Sequence, residues 1–476
     1  MSKIQTIFKN MSWLLISQII ASILGFIWTI MIARYLGVSN NGVLGFAISI
    51  TAILGMIDDM GISTHIIRHI ATDYDSAPKY LGNALPLKLI FTTFKFIITI
   101  IILSFIGINE LTFKITMIFS IEMVFKSFNN CFYGTFQAFE NGKYQGIGNI
   151  IMNITTFVFI LISIYTDIGI FGVSVSYLLA NLLTFIYTYY ILNKDFVTPK
   201  YELDIEFCKK ITVLSLPFVV TGILYTIYYS IDVVMLTNMI GSYATGIYNA
   251  TYKLISVLTL FYGVYTAVIF PVMSKFYKND ESMLLISFEK SIKYLLMIII
   301  PIAISTMIYS TDLIQLFYGQ QYNPASSVLS ILIWTVCLLF ISGAANTLLN
   351  ASHKEVTVTK IYAIAAIFNI ILNFFMIPHF SYDGAAVTTV LSDILIVIIQ
   401  CYVIYKLGHR PNKKLYYDII KIITGSLILG IALYFLNLNM WVALPVGIII
   451  YFATVYLLRV FDNDDKYVIK EILGKN

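Results

Sequence analysis

A chain of 476 residues that is 59% hydrophobic and only 12% charged, with a mean hydropathy of +0.85, has too few polar residues to cover a soluble surface. Apolar runs of about 20 residues point to an integral membrane protein made of helices, since a barrel would show alternating segments of about 10 residues. The formal net charge is +5, and the four cysteines, Cys131, Cys208, Cys337 and Cys401, stand far apart without a C-x-x-C, which argues against a disulfide framework and a zinc site.

In chain order the pattern predicts helices at roughly 11–33, 43–60, 84–106, 115–139, 147–165, 169–192, 211–236, 246–274, 291–310, 325–350, 358–377, 384–406, 418–436 and 440–459, about fourteen spans in an all-α membrane fold. Lys3 and Lys9 ahead of the first run resemble a signal peptide, but the run is long and lacks a small-residue cleavage site, which predicts a retained helix. Assigning alternate loops inward places most of the 30 Lys and Arg on inner segments. Only Arg34 and Lys114 fall outside, and Lys88, Lys95, Lys126 and Lys253 lie within helices. The positive-inside rule then predicts a multi-pass protein of the plasma membrane with both termini cytoplasmic.

The layout repeats. Gly37-Val38-Ser39-Asn40-Asn41-Gly42 lies between two apolar runs, and Gly241-Ser242-Tyr243-Ala244-Thr245-Gly246 does the same 204 positions later, from Gly37 to Gly241. Glycine suits both the end of a helix and a tight reversal. A second pair, Gly169-Ile170-Phe171-Gly172 and Tyr382-Asp383-Gly384-Ala385, is offset by 212, from Gly172 to Gly384. Six helices per copy give both copies one orientation, with a cavity expected between them. The expected division is 1–200 and 201–410 as two six-helix lobes, and 411–476 as two appended helices with a cytoplasmic tail.

Ala33-Arg34-Tyr35-Leu36-Gly37, Gly134-Thr135-Phe136-Gln137-Ala138-Phe139-Glu140 with Lys143-Tyr144, Gly246-Ile247-Tyr248-Asn249-Ala250-Thr251-Tyr252-Lys253 and Asp383-Gly384-Ala385-Ala386 together resemble the polysaccharide flippases. Their superfamily also contains multidrug-and-toxin extruders and lipid II flippases. The resemblance covers nearly the whole chain. It implies movement of a polyprenyl-linked oligosaccharide from the cytoplasmic to the outer leaflet by alternating access. It also implies no enzymatic activity, no cofactor and no nucleic acid, with lipid-linked oligosaccharide and membrane lipids as partners, joined by H⁺ or Na⁺ and by polysaccharide assembly enzymes as candidates. Where lipid II flippases carry an Arg-Asp pair in the first helix, this chain reads Trp28-Thr29, while the basic residue of their eighth helix is matched by Lys253. That departure argues against a peptidoglycan precursor as cargo.

A flippase must carry a phosphate-linked, hydroxyl-rich head across about 30 Å of hydrocarbon, where an unscreened charge costs at least about 2.5–3.5 kcal/mol. Lys95, Lys253, Lys126 and Lys88, with Arg34 at the end of the first helix, are the candidate cations. Lys88 and Lys95 are seven apart and share one helix face, and Lys126 follows Glu122 by four and is placed to pair with it. Snorkelling of Lys88, neutralisation of Glu122 by Lys126 and a boundary anchor at Arg34 are the structural alternatives. Tyr225, Tyr229, Tyr252 and Asn249 offer aromatic faces and an amide to sugars; Tyr243 and Tyr248 suit the interfacial aromatic belt.

Coupling to an ion falls to Asp393 and Glu122, with Asp58, Asp59 and Asp232 read as helix-end residues. Pro86, Pro217, Pro271 and Pro301 mark bends, with Pro217 as the hinge candidate. No G-x-x-x-x-G-K-[ST] is present, so ATP hydrolysis is not expected. His65 and His69 have metal-ligand spacing but flank Arg68 without a third ligand, and are read as an interfacial face. Asp462-Asn463-Asp464 reads as a solvated linker. The rival functions are an ion-coupled exporter of drugs or metabolites on the same scaffold, and a membrane glycosyltransferase or polymerase.

Overall fold

A computed structural model describes residues 3–461, and among these there are helices and no strand. The helices are α1 (Lys3–Asp59), α2 (Ile62–Ile70), α3 (Ala77–Ile106), α4 (Glu110–Ala138), α5 (Gly142–Tyr165), α6 (Gly169–Ile191), α7 (Ile205–Met239), α8 (Ser242–Ser256), α9 (Thr259–Asn279), α10 (Glu281–Ile308), α11 (Ser310–Tyr318), α12 (Ala325–Ala351), α13 (Glu355–Lys406), α14 (Lys413–Leu436) and α15 (Met440–Leu457). Nine of the described helices are long and apolar enough to cross a membrane, or ten if α8 and α9 count as one broken span. These helices fall short of the expected count of about fourteen, even with α1 and α13 each counted twice at their breaks.

A straight helix of 57 residues would run about 85 Å, far beyond one bilayer core. Gly37 divides α1 with φ 72° and ψ 176°, a conformation that a Cβ disfavours. Ser381, at φ 51°, divides α13 in the same way. The helix starts are fixed locally: Asn109, Asp204, Asp280, Asn412 and Asn439 each accept a backbone N–H of the first turn that follows, satisfying donors that a helix leaves open.

By contact the chain divides into two compact units, Met1–Lys253 with Asn373–Tyr382, and Leu254–Leu372 with Asp383–Asn476. In the first, α1 packs on α5, α4 and α7, and α6 packs on α5 and α4. Trp28, Ile32, Phe119, Ile160 and Val173 form one apolar cluster, and Ile66, Phe132 and Phe136 belong to another. In the second, α10 packs on α12 and α14, and α14 on α15. Tyr451 donates to the carbonyl of Met297 at 2.7 Å, tying α15 to α10.

The α3 helix shows how such a chain suits lipid. Leu89, Phe94, Ile97 and Ile101 are exposed along one face, whereas Lys88, Thr92, Lys95 and Thr99 are buried on the other. Polar groups turned inward and apolar groups turned outward are what a hydrocarbon solvent selects. Residues 462–476, including Asp462, Asn463 and Asp464, lie outside the described residues, as does the side chain of Pro217.

Candidate functional site

Two ion pairs sit where α1 ends against α3. Lys88 donates to Asp59 Oδ1 at 2.5 Å and to Ser127 Oγ at 2.9 Å. One face further along, Lys95 donates to Asp58 Oδ2 at 2.8 Å and to the carbonyl of Ser120 at 2.9 Å. Both lysines are fully buried. The seven-residue spacing does place them on one inward face, but each ammonium is held by a carboxylate rather than open to a cavity. Asp58 and Asp59, read from the sequence as helix-end residues, are those counterions. At these depths an ion pair offsets the cost of desolvating either charge alone.

Glu122 and Lys126 part company. Glu122 is buried and accepts from Asn181 Nδ2 of α6 at 2.7 Å, and Lys126 is exposed and makes no ion pair with it. The expected pairing along α4 is therefore corrected: packing of α4 on α6 turns the carboxylate to the amide. Lys253 of α8 is also exposed, and lies within Coulombic reach of Lys126. Of the four lysines that the sequence places within helices, Lys88 and Lys95 are buried and Lys126 and Lys253 are exposed.

Tyr225 and Tyr229 share a face with ring centroids 4.5 Å apart, and Tyr225 is 51% exposed. The ring of Tyr252 stacks on Tyr248 at 6.1 Å. Tyr248 itself is not an interfacial belt residue; it is buried and donates to Asp232 Oδ2 at 2.7 Å. Asp232 Oδ1 accepts from Asn373 Nδ2 at 2.5 Å. The helix-end reading of Asp232 is thus corrected as well, since it lies 3% exposed at the meeting of α7, α8 and α13. Asn249 is half-buried against α1, where its amide lies 2.7 Å from the point a Cβ on Gly45 would occupy.

Arg34 is exposed just before the Gly37 break. One residue on, Tyr35 donates to Asp167 Oδ1 at 2.9 Å and accepts from the backbone N–H of Gly169 at 2.8 Å, joining the first hinge to the start of α6. In the second unit Ser327 donates to Asp383 Oδ1 at 2.8 Å, holding the corresponding turn. Asp393 is half-buried in α13.

His65 of α2 is buried rather than interfacial, with its ring 4.2 Å from that of His69. Burial, together with the neighbouring His69 and Lys210, pushes its imidazole down to about 4. Among the described residues no group of three or more His, Cys, Asp or Glu is placed to hold a metal ion. The second unit contains an apolar cavity of about 560 Å³ between α10, α11, α14 and α15, lined by Pro301, Leu313, Leu433, Trp441, Leu444 and Tyr451 among others.

Comparison with known proteins places these features in context. The sequence model of the polysaccharide biosynthesis proteins matches residues 7–277, and the MatE model matches residues 217–375. An uncharacterized membrane protein, MJ1068 of Methanocaldococcus jannaschii, is 26% identical over 98% of each chain. The capsular polysaccharide biosynthesis protein CapF of Staphylococcus aureus is 24% identical over 84% of this chain and 99% of its own. The structure of the lipid II flippase MurJ in an inward closed conformation superposes with a TM-score of 0.79 over 93% of this chain and 98% of that one, at 18% identity. That last likeness is one of fold.

Proposed function

The chain belongs to the family of polysaccharide biosynthesis proteins, and on that premise we propose that it is a flippase for a polyprenyl phosphate- or diphosphate-linked oligosaccharide or polysaccharide repeat unit. The observation that carries the reading is the placement of Lys126 on α4 and Lys253 on α8, two exposed cations within Coulombic reach of each other. Fixed positive charge there stabilises an anionic head on its way across hydrocarbon, where it would otherwise meet the full cost of a bare charge. Arg34 is the further cation, and Tyr225, Tyr229, Tyr252 and Asn249 supply ring faces and an amide to the sugar.

Lys88 and Lys95 act differently from the two exposed lysines. Their carboxylate partners neutralise them, and a phosphate reaches them only by competing with Asp58 and Asp59. The tail of the lipid carrier needs no polar partner, and the apolar cavity of the second unit suits a hydrocarbon chain.

Transport proceeds by alternating access of the lobes 1–200 and 201–410, with 411–476 appended, in the plasma membrane and with both termini cytoplasmic. About fourteen spans give that topology. No chemical step on the substrate is required, so the protein is a carrier and not an enzyme. An inside-negative potential favours outward movement of an anion by about 2.3 kcal/mol per charge per 100 mV, and the carboxylates of buried Glu122 and Asp232 and half-buried Asp393 are the places where H⁺ or Na⁺ adds to it. Enzymes of polysaccharide assembly supply and remove the cargo.

The test is cellular. Removing the protein from its own cells leaves lipid-linked oligosaccharide accumulating in the leaflet facing the cytoplasm, protected from a glycosidase added outside. Unchanged accessibility of that glycan to the external glycosidase would contradict the reading. The MatE match over residues 217–375 supports one rival, an ion-coupled exporter, which predicts ion-dependent efflux of a small organic cation instead.

A further inference from the structure

In the first unit a carboxylate, an ammonium and a second carboxylate are buried within reach of one another, and the charges do not balance. Asp58 is 1% exposed, Lys95 0% and Glu122 5%. Lys95 spends its hydrogen bonds on Asp58 Oδ2 and on the carbonyl of Ser120. Glu122 is left with an amide. A second buried negative charge without a cation of its own would carry a desolvation cost that neutralisation removes.

The amide is incompletely satisfied in a way that shows what is missing. Asn181 Nδ2 donates to Glu122 Oε1 at 2.7 Å and to the carbonyl of Tyr177 at 3.3 Å. The carbonyl of Tyr177 accepts only, so exchanging the amide nitrogen and oxygen would set acceptor against acceptor there, and that contact fixes the orientation. The backbone is pinned as well. Asn129 Nδ2 donates to the carbonyl of Asn181 at 3.2 Å, and Thr188 Oγ1 donates to Asn129 Oδ1 at 2.8 Å. Asn181 Oδ1, on a residue 4% exposed, is then a buried acceptor with no donor. A buried acceptor left so forfeits the hydrogen bond it would make with water and is destabilising.

We propose that Glu122 and Asn181 form a proton-binding site, in which the neutral carboxylic acid of Glu122 accepts from Asn181 Nδ2 and donates its own O–H to Asn181 Oδ1. One proton answers both deficits. It cancels the unbalanced charge and supplies the missing donor. The step is simple protonation: the carboxylate takes a proton from water, an O–H bond forms, and release reverses it. Lys126 lies one turn further along α4 and is exposed.

The charged and titratable groups that face Glu122 are Lys95 from α3, held by Asp58 of α1, Lys126 from α4 itself and Tyr177 from α6. The α5 helix carries Lys143, Tyr144 and Tyr165 only at its ends. The α2 helix meets α4 at Gly134, about three turns away. An anionic head drawn toward Lys126 and Lys253 would weaken the positive field that favours ionised Glu122, so cargo and proton bind cooperatively. That coupling rests on the flippase reading; the proton site does not.

The experiment is infrared difference spectroscopy of the full chain in liposomes, titrated from acidic to alkaline pH. Its amide bands report folding in the same spectra. The expected result is a protonated carboxyl band at neutral pH that disappears on alkalinisation and is absent from Glu122→Gln, whose side-chain amide can make both hydrogen bonds. In Asn181→Ala the band persists at shifted frequency, which identifies it should Glu122→Gln fail to fold. A wild-type spectrum without a protonated carboxyl band at neutral pH would overturn the proposal, and water alone at Asn181 Oδ1 would give that result. So would a band left unchanged in either folded variant. Loss of transport with the band intact would count against the flippase reading and leave the proton site standing.

Discussion

Gly42 and Gly246, the second glycines of the two repeated hinges, pack directly against each other's helices. A Cβ on Gly42 would lie 1.8 Å from the carbonyl oxygen of Ser242 and 2.8 Å from the nitrogen of Gly246, and one on Gly246 would lie 2.0 Å from the carbonyl oxygen of Val38. Nothing larger than hydrogen fits at either position while α1 and α8 stay where they are. Equivalent points of the internal repeat thus meet through bare backbone, the small-residue packing that membrane helices use for close approach.

Substitution there should be costly in proportion to that contact. Gly246→Val forces two backbones apart and should destabilise this arrangement by about 1–3 kcal/mol, read as a lower Tm of the detergent-purified protein. Gly263→Val is the control, since a Cβ at Gly263 meets nothing within 4 Å. Equal melting of the two variants would show that the contact is not made.

The Lys95–Asp58 pair predicts non-additivity. Lys95→Ala leaves Asp58 buried without its cation and should cost about 3–5 kcal/mol, whereas Lys95→Met with Asp58→Asn removes both charges and should recover most of it. Transport by the double variant then separates the roles. Retained leaflet exchange makes Lys95 a structural counterion, and lost exchange by a well-folded protein gives it a part in handling the cargo.

Lys126 and Lys253 should behave in the opposite way. Both are exposed, so Lys126→Gln and Lys253→Gln should change stability by no more than about 0.5 kcal/mol while reducing transport, together more than singly. Wild-type rates in the double variant would remove the two-lysine mechanism.

His65 sets a pH dependence outside the spans. Its folded pKa of about 4 lies below the ordinary 6.5, so the unfolded chain binds the proton more readily. Its contribution to stability is therefore complete above about 6.5 and is lost as pH falls toward 4. Melting of the wild type should fall across that window, and His65→Phe should flatten the fall; identical profiles would contradict the assignment.

Much of the architecture was legible in the sequence because apolar runs in a membrane protein are set by hydrocarbon thickness and need no partner to be recognised. Gly37 was legible as a break for the same local reason. The ion pairs were not. Asp58 and Asp59 stand at the end of an apolar run, where a boundary is the natural reading, and only the packing of α1 on α3 places them opposite Lys95 and Lys88. Glu122 and Lys126 at four-residue spacing suggest a pair, but the rotation of α4 is fixed by its contact with α6, and Asn181 is 59 positions away from Glu122 in the chain. Tyr248 and Asp232 misled likewise, since burial at a three-helix junction leaves no periodic trace. The clue available was type: an acid, an amide and a tyrosine within the helices the sequence predicts.

A flippase of this kind moves a lipid-linked anionic glycan between leaflets. Its most direct test is purified protein in liposomes with a fluorescent polyprenyl-diphosphate oligosaccharide, scored by a quencher that reaches only the outer leaflet, with an uncharged polyprenol glycan in parallel. Protein-dependent exchange of the diphosphate-linked lipid is expected, faster when the potential drives the anion toward the receiving leaflet, with little exchange of the uncharged one. No protein-dependent exchange, or equal exchange of both lipids at every potential, would contradict it.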